Sequence, residues 1–381
     1  MAMILNEEQT MLKDAAKTFC GQSAPISQLR TLRDGNDPDG FDRATWRSMV
    51  ELGWAGIPFP EDVGGLDFGY KGLGVVTEEA GRTLTASPLF ASIWVGGTIL
   101  NLGGTSEQKS AVLSAVAAGE QLLALALEES HRHAPYQIET TAAADGGDFV
   151  LNGAKTFVLD GHVADQLIVV ARTSGATTDR NGLTLFLVPG DAAGLERVRT
   201  YMTDSRNAAN VSLKNVRVPA QSVIGAVDQG ASVLDPALDI ARIGITAEML
   251  GGLQECFERT NQYLKEREQF GVPIGSFQAL KHRAANMFCE VELARSCVLE
   301  ALSALDEGRD AEEIARLASL AKSKVGETYD LVSREGIQMH GGIGMTDEFD
   351  IGFFIKRAAV TEQIFGTSAF HQERYATLSG F

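Results

Sequence analysis

Three kinds of hydrophobic spacing follow one another along this chain. Up to about residue 119, apolar positions recur at helical spacing between Gly- and Pro-containing loops. Two helix starts stand out there, Asn6-Glu7-Glu8-Gln9 and Thr105-Ser106-Glu107-Gln108, each with a capping side chain three residues ahead of a Gln. From about Gln121 the period changes. Short apolar runs at 122–127, 166–171 and 183–188, and a strictly alternating segment at 211–218, predict strands. Asn152-Gly153, a dipeptide that accepts positive φ, predicts a tight hairpin turn between 148–151 and 154–157. After about Gly225 helical spacing returns and holds to about Leu378, in four long segments divided near Gly271–Pro273, Gly308 and Gly341–Gly344. Such segments predict a helical bundle. The spacing therefore predicts an α+β protein of segregated elements, with an all-α region over 1–119, a β domain over 120–226 and a helical domain over 227–381.

Composition narrows the function. A chain of 381 residues supports two or three domains with a substantial core. Its formal charge of −17 and the lack of any Lys/Arg-rich run exclude a nucleic-acid partner, which needs a basic stripe. An anionic ligand would have to meet a locally basic site or backbone N–H groups on this acidic body. Cys20, Cys256, Cys289 and Cys297 show no C-x-x-C and no metal-ligand spacing, so buried thiols and no metal site are expected. No run of about 18 apolar residues occurs, and the expectation is a soluble, cytoplasmic protein without membrane insertion.

The candidate chemistry starts at Arg267-Glu268-Gln269-Phe270-Gly271-Val272-Pro273-Ile274, followed by Gly275-Ser276-Phe277-Gln278. Leu250, Leu253, Phe257, Tyr263 and Leu264 keep helical spacing before it; Leu280, Ala284, Met287, Phe288 and Val291 keep it afterwards. Gly271 and Pro273 break the helix between. The corner sets an Arg at one helix end with an amide and an aromatic just beyond, which suits an anionic, planar ligand.

This segment resembles the C-terminal signature of the acyl-CoA dehydrogenase family, flavoenzymes that oxidise acyl-CoA thioesters to 2-enoyl-CoA. Gln338-Met339-His340-Gly341-Gly342-Ile343-Gly344-Met345-Thr346 resembles the family's turn between its last two helices, and 52–65, from Leu52 to Gly65, resembles its N-terminal segment. The resemblance implies an N-terminal α domain, a middle β-barrel and a C-terminal four-helix bundle that assembles dimers and tetramers. It implies FAD as hydride acceptor, an acyl-CoA thioester as substrate and electron-transferring flavoprotein as electron acceptor. By the same resemblance Arg267, Gln269, Phe270, Ile274, Phe277, Gln338, Gly341, Gly342 and Thr367 would hold FAD, several of them that of a neighbouring subunit. Arg242 and the backbone N–H of Phe365 would meet the acyl group.

The chain departs from the family where a base is needed. Phe365 occupies the position of the family's Glu in Ile364-Phe365-Gly366-Thr367, and Ala241 stands where some members carry it instead, in Leu238-Asp239-Ile240-Ala241-Arg242. Leu127 and Leu159 replace two hydroxyls that would bond the flavin, and His131-Arg132-His133 replaces a further family segment; that stretch reads as a loop, with Arg132 able to meet CoA phosphates. An active homo-oligomer would need another base. Glu248, two turns or roughly 10 Å beyond Ala241, Glu362, one turn before Phe365, and His371 are the candidates, each with a structural reading as a local hydrogen-bonding group. The pattern resembles the small, base-lacking subunit type of heterotetrameric members, such as pimeloyl-CoA dehydrogenase small subunits. The alternatives are an active homo-oligomer, a catalytically silent partner that completes another subunit's FAD site, and a non-redox acyl-CoA lyase. Trp54 and Phe59 are expected in the core.

Overall fold

The structure is a computed structural model and describes residues 4–381. In chain order it holds α1 (Glu7–Ser23), α2 (Ile26–Asp34), α3 (Arg43–Glu51), α4 (Gly69–Arg82) and the short α5 (Thr98–Gly103), α6 (Ser106–Gln108) and α7 (Ser114–Ala117). The strands follow: β1 (Leu123–Ala126), β2 (Thr141–Asp145), β3 (Asp148–Leu159), β4 (Gln166–Arg172), β5 (Leu183–Pro189), β6 (Leu195–Tyr201), β7 (Asn207–Pro219) and β8 (Val223–Ile224). Then come α8 (Ala231–Glu266), a two-stranded hairpin of β9 (Glu268–Gln269) and β10 (Val272–Pro273), α9 (Gln278–Asp306), α10 (Ala311–His340), α11 (Ile351–Gln363) and α12 (Ser368–Leu378). The predicted mixed α+β architecture, helical region, β-sheet domain and helical bundle, is present. Both predicted starts are built as reciprocal caps, Asn6 with Gln9 and Thr105 with Gln108.

The chain divides into two compact units. One consists of the described residues up to Thr31, Gly69–Thr85 and Arg242–Phe381, and it is helical. Its charges lie partly inside: Glu78 and Glu79 of α4 are buried, and Glu78 pairs with Lys13 of α1 at 2.9 Å and Arg295 of α9 at 3.1 Å. Gly81 and Gly251 let α4 and α8 cross closely, since a Cβ on Gly251 would lie 1.8 Å from the Glu78 carbonyl oxygen. The last helical segment is two helices rather than one. Apolar spacing continues through Ile364 and Phe365, but Phe365 and Gly366 take φ of 53° and 112°, and Thr367 caps a new helix.

The other unit, Leu32–Phe68 and Ala86–Ala241, carries one eight-stranded sheet. Its order is β6-β7-β3-β2-β4-β5-β8, with β1 beside β4. The inward apolar residues, among them Leu151, Leu167, Val169, Phe186, Val211 and Val216, form its core, and Trp54 and Phe59 are buried as expected. β2 and β6 were not foreseen: Thr-Ala-Ala-Ala-Asp and Leu-Glu-Arg-Val-Arg-Thr-Tyr present too few apolar residues to alternate visibly.

The hairpin expected at Asn152-Gly153 lies elsewhere. β3 runs unbroken through both residues, and the turn to β2 is at Gly146-Gly147, both at positive φ. Asn152-Gly153 instead marks a bulge against β7, where the Asn152 side chain accepts from the Asn215 N–H at 2.8 Å. Gly153 serves close approach: a Cβ would sit 2.7 Å from Thr140 Cα. Gly153→Ala is therefore expected to cost about 1–3 kcal/mol in urea unfolding. Gly21→Ala, in α1 with open space around its Cβ position, should stabilise by about 1 kcal/mol.

Candidate active site

Side chains from three helices hold the backbone turn between α11 and α12. Phe365 is buried yet sits at φ 53°, unusual for a bulky residue. Donors from three helices hold the carbonyls around it. Lys322 of α10 donates to Glu362 O at 3.1 Å and Gly366 O at 2.9 Å; Arg242 of α8 donates to Phe365 O at 3.2 Å. His371 Nε2 of α12 meets the same oxygen at 3.1 Å. That oxygen can only accept, so Nε2 carries the proton and Nδ1 takes the Ser319 hydroxyl at 3.3 Å, while Arg374 donates to Ser319 Oγ at 2.8 Å.

His371 is therefore a neutral structural imidazole. Burial, with Arg242 and Lys322 close by, pushes its pKa far below the ordinary range. Burial pushes Lys322 down to about 8, against the pull of Glu362 and with the help of Arg242. Ser319, Lys322, Ser323 and Gly326, spaced i, i+3, i+4, i+7, form a buried polar stripe on α10 facing this turn. Sequence reasoning missed Lys322; a lysine on an otherwise small, apolar helix face was its signal.

The candidate bases are engaged with the protein itself. Glu248 is buried and accepts from Arg357 Nε at 2.8 Å and Nη2 at 2.7 Å. Glu362 turns back onto the start of α12, where its carboxylate accepts from Ser368 N at 2.5 Å and Ser368 Oγ at 3.1 Å. Gly326 makes room for it, since a Cβ there would lie 2.3 Å from Glu362 Oε2. Ala241 is buried in α8. Arg242 is also buried, with its guanidinium 5.7 Å from the Phe370 ring centroid.

The Arg267 corner is a small hairpin. Phe270 and Gly271 both take positive φ between β9 and β10, and the Ile274 N–H returns to the Arg267 carbonyl at 2.8 Å. Arg267, Gln269, Phe270 and Phe277 are exposed, Ile274 is half-buried, and the Phe270 and Phe277 rings meet edge to face at 6.1 Å. The structure brings this corner to the distant Gly341 turn through Tyr263. Its ring stacks on His340 at 4.3 Å, and its hydroxyl donates to the His340 carbonyl at 3.4 Å. Gln338, Gly341 and Gly342 are exposed there, and Gly341, at φ 63° and ψ −139°, holds a conformation that needs glycine. Nothing lies within 4 Å of a Cβ built on Gly341 or Gly342. The Arg267 guanidinium and the Gln338 amide have no partner among the described residues. Free guanidinium and amide donors beside uncrowded glycines fit a dinucleotide's phosphates and adenosine.

In the sheet unit, Leu127 is buried and Leu159 is half-buried. The adjoining loop satisfies its own charges. Lys155 of β3, fully buried, donates to Leu127 O at 3.2 Å and Glu129 at 2.6 Å, and burial holds its pKa at about 8 despite Glu129. Glu129 also accepts from the N–H groups of Glu139 and Thr140. His133 meets Glu128 at 2.5 Å, and Arg132 is exposed in the same loop. The thiols are not all buried: Cys20 and Cys256 are, with pKa values raised to about 12, but Cys289 lies on the exposed face of α9 and Cys297 is intermediate. Phe288, one of the apolar residues at helical spacing, is likewise exposed. No described helix is long and apolar enough to cross a membrane.

Lys322 is charged in the unfolded chain up to about pH 10.5 but in the folded chain only to about pH 8. Between those values the unfolded state binds more protons, so this group's contribution raises stability as pH rises. Lys322→Met should flatten that rise by on the order of 3 kcal/mol, compared as urea midpoints at pH 7 and 10. Glu248→Ala, which takes the carboxylate away from the buried Arg357, should cost about 3–5 kcal/mol.

Comparison with known proteins matches three family profiles in succession: the acyl-CoA dehydrogenase N-terminal domain over residues 6–120, the middle domain over 124–216 and the C-terminal domain over 228–377. A probable acyl-CoA dehydrogenase of Bacillus subtilis, YngJ, is 31% identical over 370 residues, 96% of each chain. A solved variant of the Tcur3481–Tcur3483 steroid ACAD is 30% identical with a TM-score of 0.88, covering 98% of each chain. The ChsE4–ChsE5 complex of Mycobacterium tuberculosis contains a chain 25% identical with a TM-score of 0.89, covering 100% of each. The chain belongs to the acyl-CoA dehydrogenase family of FAD-dependent flavoprotein oxidoreductases.

Proposed function

We propose that this chain is the base-lacking subunit of a heteromeric acyl-CoA dehydrogenase, pairing with a subunit that carries the carboxylate. The observation that carries the reading is the state of its acids. Phe365 and Ala241 stand at the two base positions, Glu248 is held by Arg357 and Glu362 by Ser368. A carboxylate whose oxygens are taken up by a buried guanidinium or by a helix start is not free to meet a substrate carbon. Two of its structural relatives are themselves named as pairs of components, which supports a two-component assembly.

In this reading Arg267 neutralises FAD phosphate charge, Gln269, Phe270, Ile274 and Phe277 line the cofactor's path, and Gln338, Gly341 and Gly342 hold its adenosine end. All of these groups but the half-buried Ile274 are exposed in the single chain, as groups reaching across a subunit boundary would be. Thr367, beside the 362–366 turn, would sit toward the cofactor. FAD supplies the hydride acceptor that no side chain can provide. The chain's own share is to bind, to orient and to exclude water, with the partner's carboxylate taking the α-proton of the acyl-CoA thioester. Electron-transferring flavoprotein would then reoxidise the assembly.

Purified alone, the chain should show little flavin absorbance and no bleaching by butyryl-CoA; co-expressed with the product of the gene beside it, it should give a yellow complex whose mass contains both chains. A yellow, butyryl-CoA-bleached protein of this chain alone would refute the reading. Arg267→Gln in the complex should lower FAD content about tenfold or more, a loss in line with one charge-assisted phosphate contact. Phe365→Glu in the lone chain should not restore bleaching, because Leu127 and Leu159 offer the flavin no hydroxyl.

A further inference from the structure

Burying a lysine completely costs its hydration, and Lys322 offsets that cost with hydrogen bonds to main-chain carbonyls, whose direction it thereby fixes. Lys322 draws the carbonyls of Glu362 and Gly366 to one side, and Arg242 with His371 draws that of Phe365. All described peptides are trans, so C=O and N–H of one plane point oppositely. The N–H of Gly366 therefore points away from Arg242 and His371, and that of Thr367 away from Lys322. Neither has an acceptor among the described residues, although Gly366 is buried. Folded chains pair almost every buried backbone N–H. Two successive open donors, aimed by side chains from three separate helices, are a prepared arrangement rather than a loose loop.

We infer that Lys322 is a positioning residue: by stapling both ends of the 362–366 turn it aims the Gly366 and Thr367 N–H groups at a carbonyl or anionic oxygen of the bound ligand. The inference deepens the function proposed above and rests on it. Lys322 touches neither cofactor nor substrate and acts through the main chain. The acceptor is an oxygen of the flavin or of the acyl thioester, and the two are separable because FAD can be loaded without acyl-CoA.

The test compares Lys322→Met with Val325→Ala, a fully buried position on the same helix whose apolar side chain makes no hydrogen bond to the turn, in the protein as purified and with its partner if one co-purifies. Amide hydrogen exchange is followed with no added ligand, after FAD loading, and after FAD plus butyryl-CoA. The Ser368, Phe370 and His371 N–H groups donate to Glu362 and Thr367 at this turn. Without ligand they should exchange at least about tenfold faster in Lys322→Met than in Val325→Ala, as expected for a lost charge-assisted bond. In the parent protein the Gly366 and Thr367 amides should gain protection on FAD loading if the flavin oxygen is the acceptor, or only with butyryl-CoA if the thioester oxygen is. Lys322→Met should lose that protection and bind the same ligand about tenfold more weakly. Equal exchange at Ser368–His371 in the two variants, or equal ligand protection of Gly366 and Thr367, would overturn the inference. A complex with the partner that binds neither ligand refutes the functional reading, and exchange without ligand then still decides whether Lys322 holds the turn.

Discussion

A cation taken out of water has to find oxygen, and in this chain the oxygen is largely main-chain carbonyl. Lys322 meets the carbonyls of Glu362 and Gly366; Lys155 meets that of Leu127 together with the Glu129 carboxylate. Arg172 of β4 donates to six carbonyls, of Tyr136, Ile138, Ser174, Thr177, Asp179 and Asn181, and so gathers two loops that have little apolar surface of their own. Each cation converts a flexible connection into a fixed one, because moving the loop would strand a buried charge. The helical unit and the sheet unit are each built this way.

The same constraint explains why acids at tempting positions are unavailable. Glu248 lies on the helix that carries Ala241 and Arg242, yet Arg357 claims it, and the pair is more stable together than either charge alone. Glu362 completes the α12 start, and Gly326 has no side chain so that it can. What is left open is donor-rich: the Arg267 corner, the Gln338 amide and the N–H groups at the α11–α12 turn. On a body with a net charge of −17 such local donor sites suit anions such as FAD and CoA thioesters.

Much of the architecture was legible because it rests on local rules. The Asn6 and Thr105 caps, the strands at 166–172 and 183–189 and the break at Gly271–Pro273 each depend on a few neighbouring residues. Misreadings came where a residue answered to something distant. Gly153 looked like a turn because Asn-Gly accepts positive φ, but Thr140, just ahead of β2, leaves no room for a Cβ there. Phe365 continued an apolar rhythm that a left-handed turn interrupts, and that turn is held by Arg242, 123 positions earlier, and by Lys322.

The sequence alone determined the order of helical, strand and helical regions, the family, and the lack of a carboxylate at 241 and 365, since spacing and residue identity are local properties of the chain. Tertiary structure decided that Glu248 and Glu362 are already bound, that Tyr263 and His340 bring the Arg267 corner to the Gly341 turn, and that three helices aim the peptides after Phe365. Those outcomes depend on which groups meet after folding, where desolvation makes each unpaired charge too costly to leave, and no sequence window contains both partners.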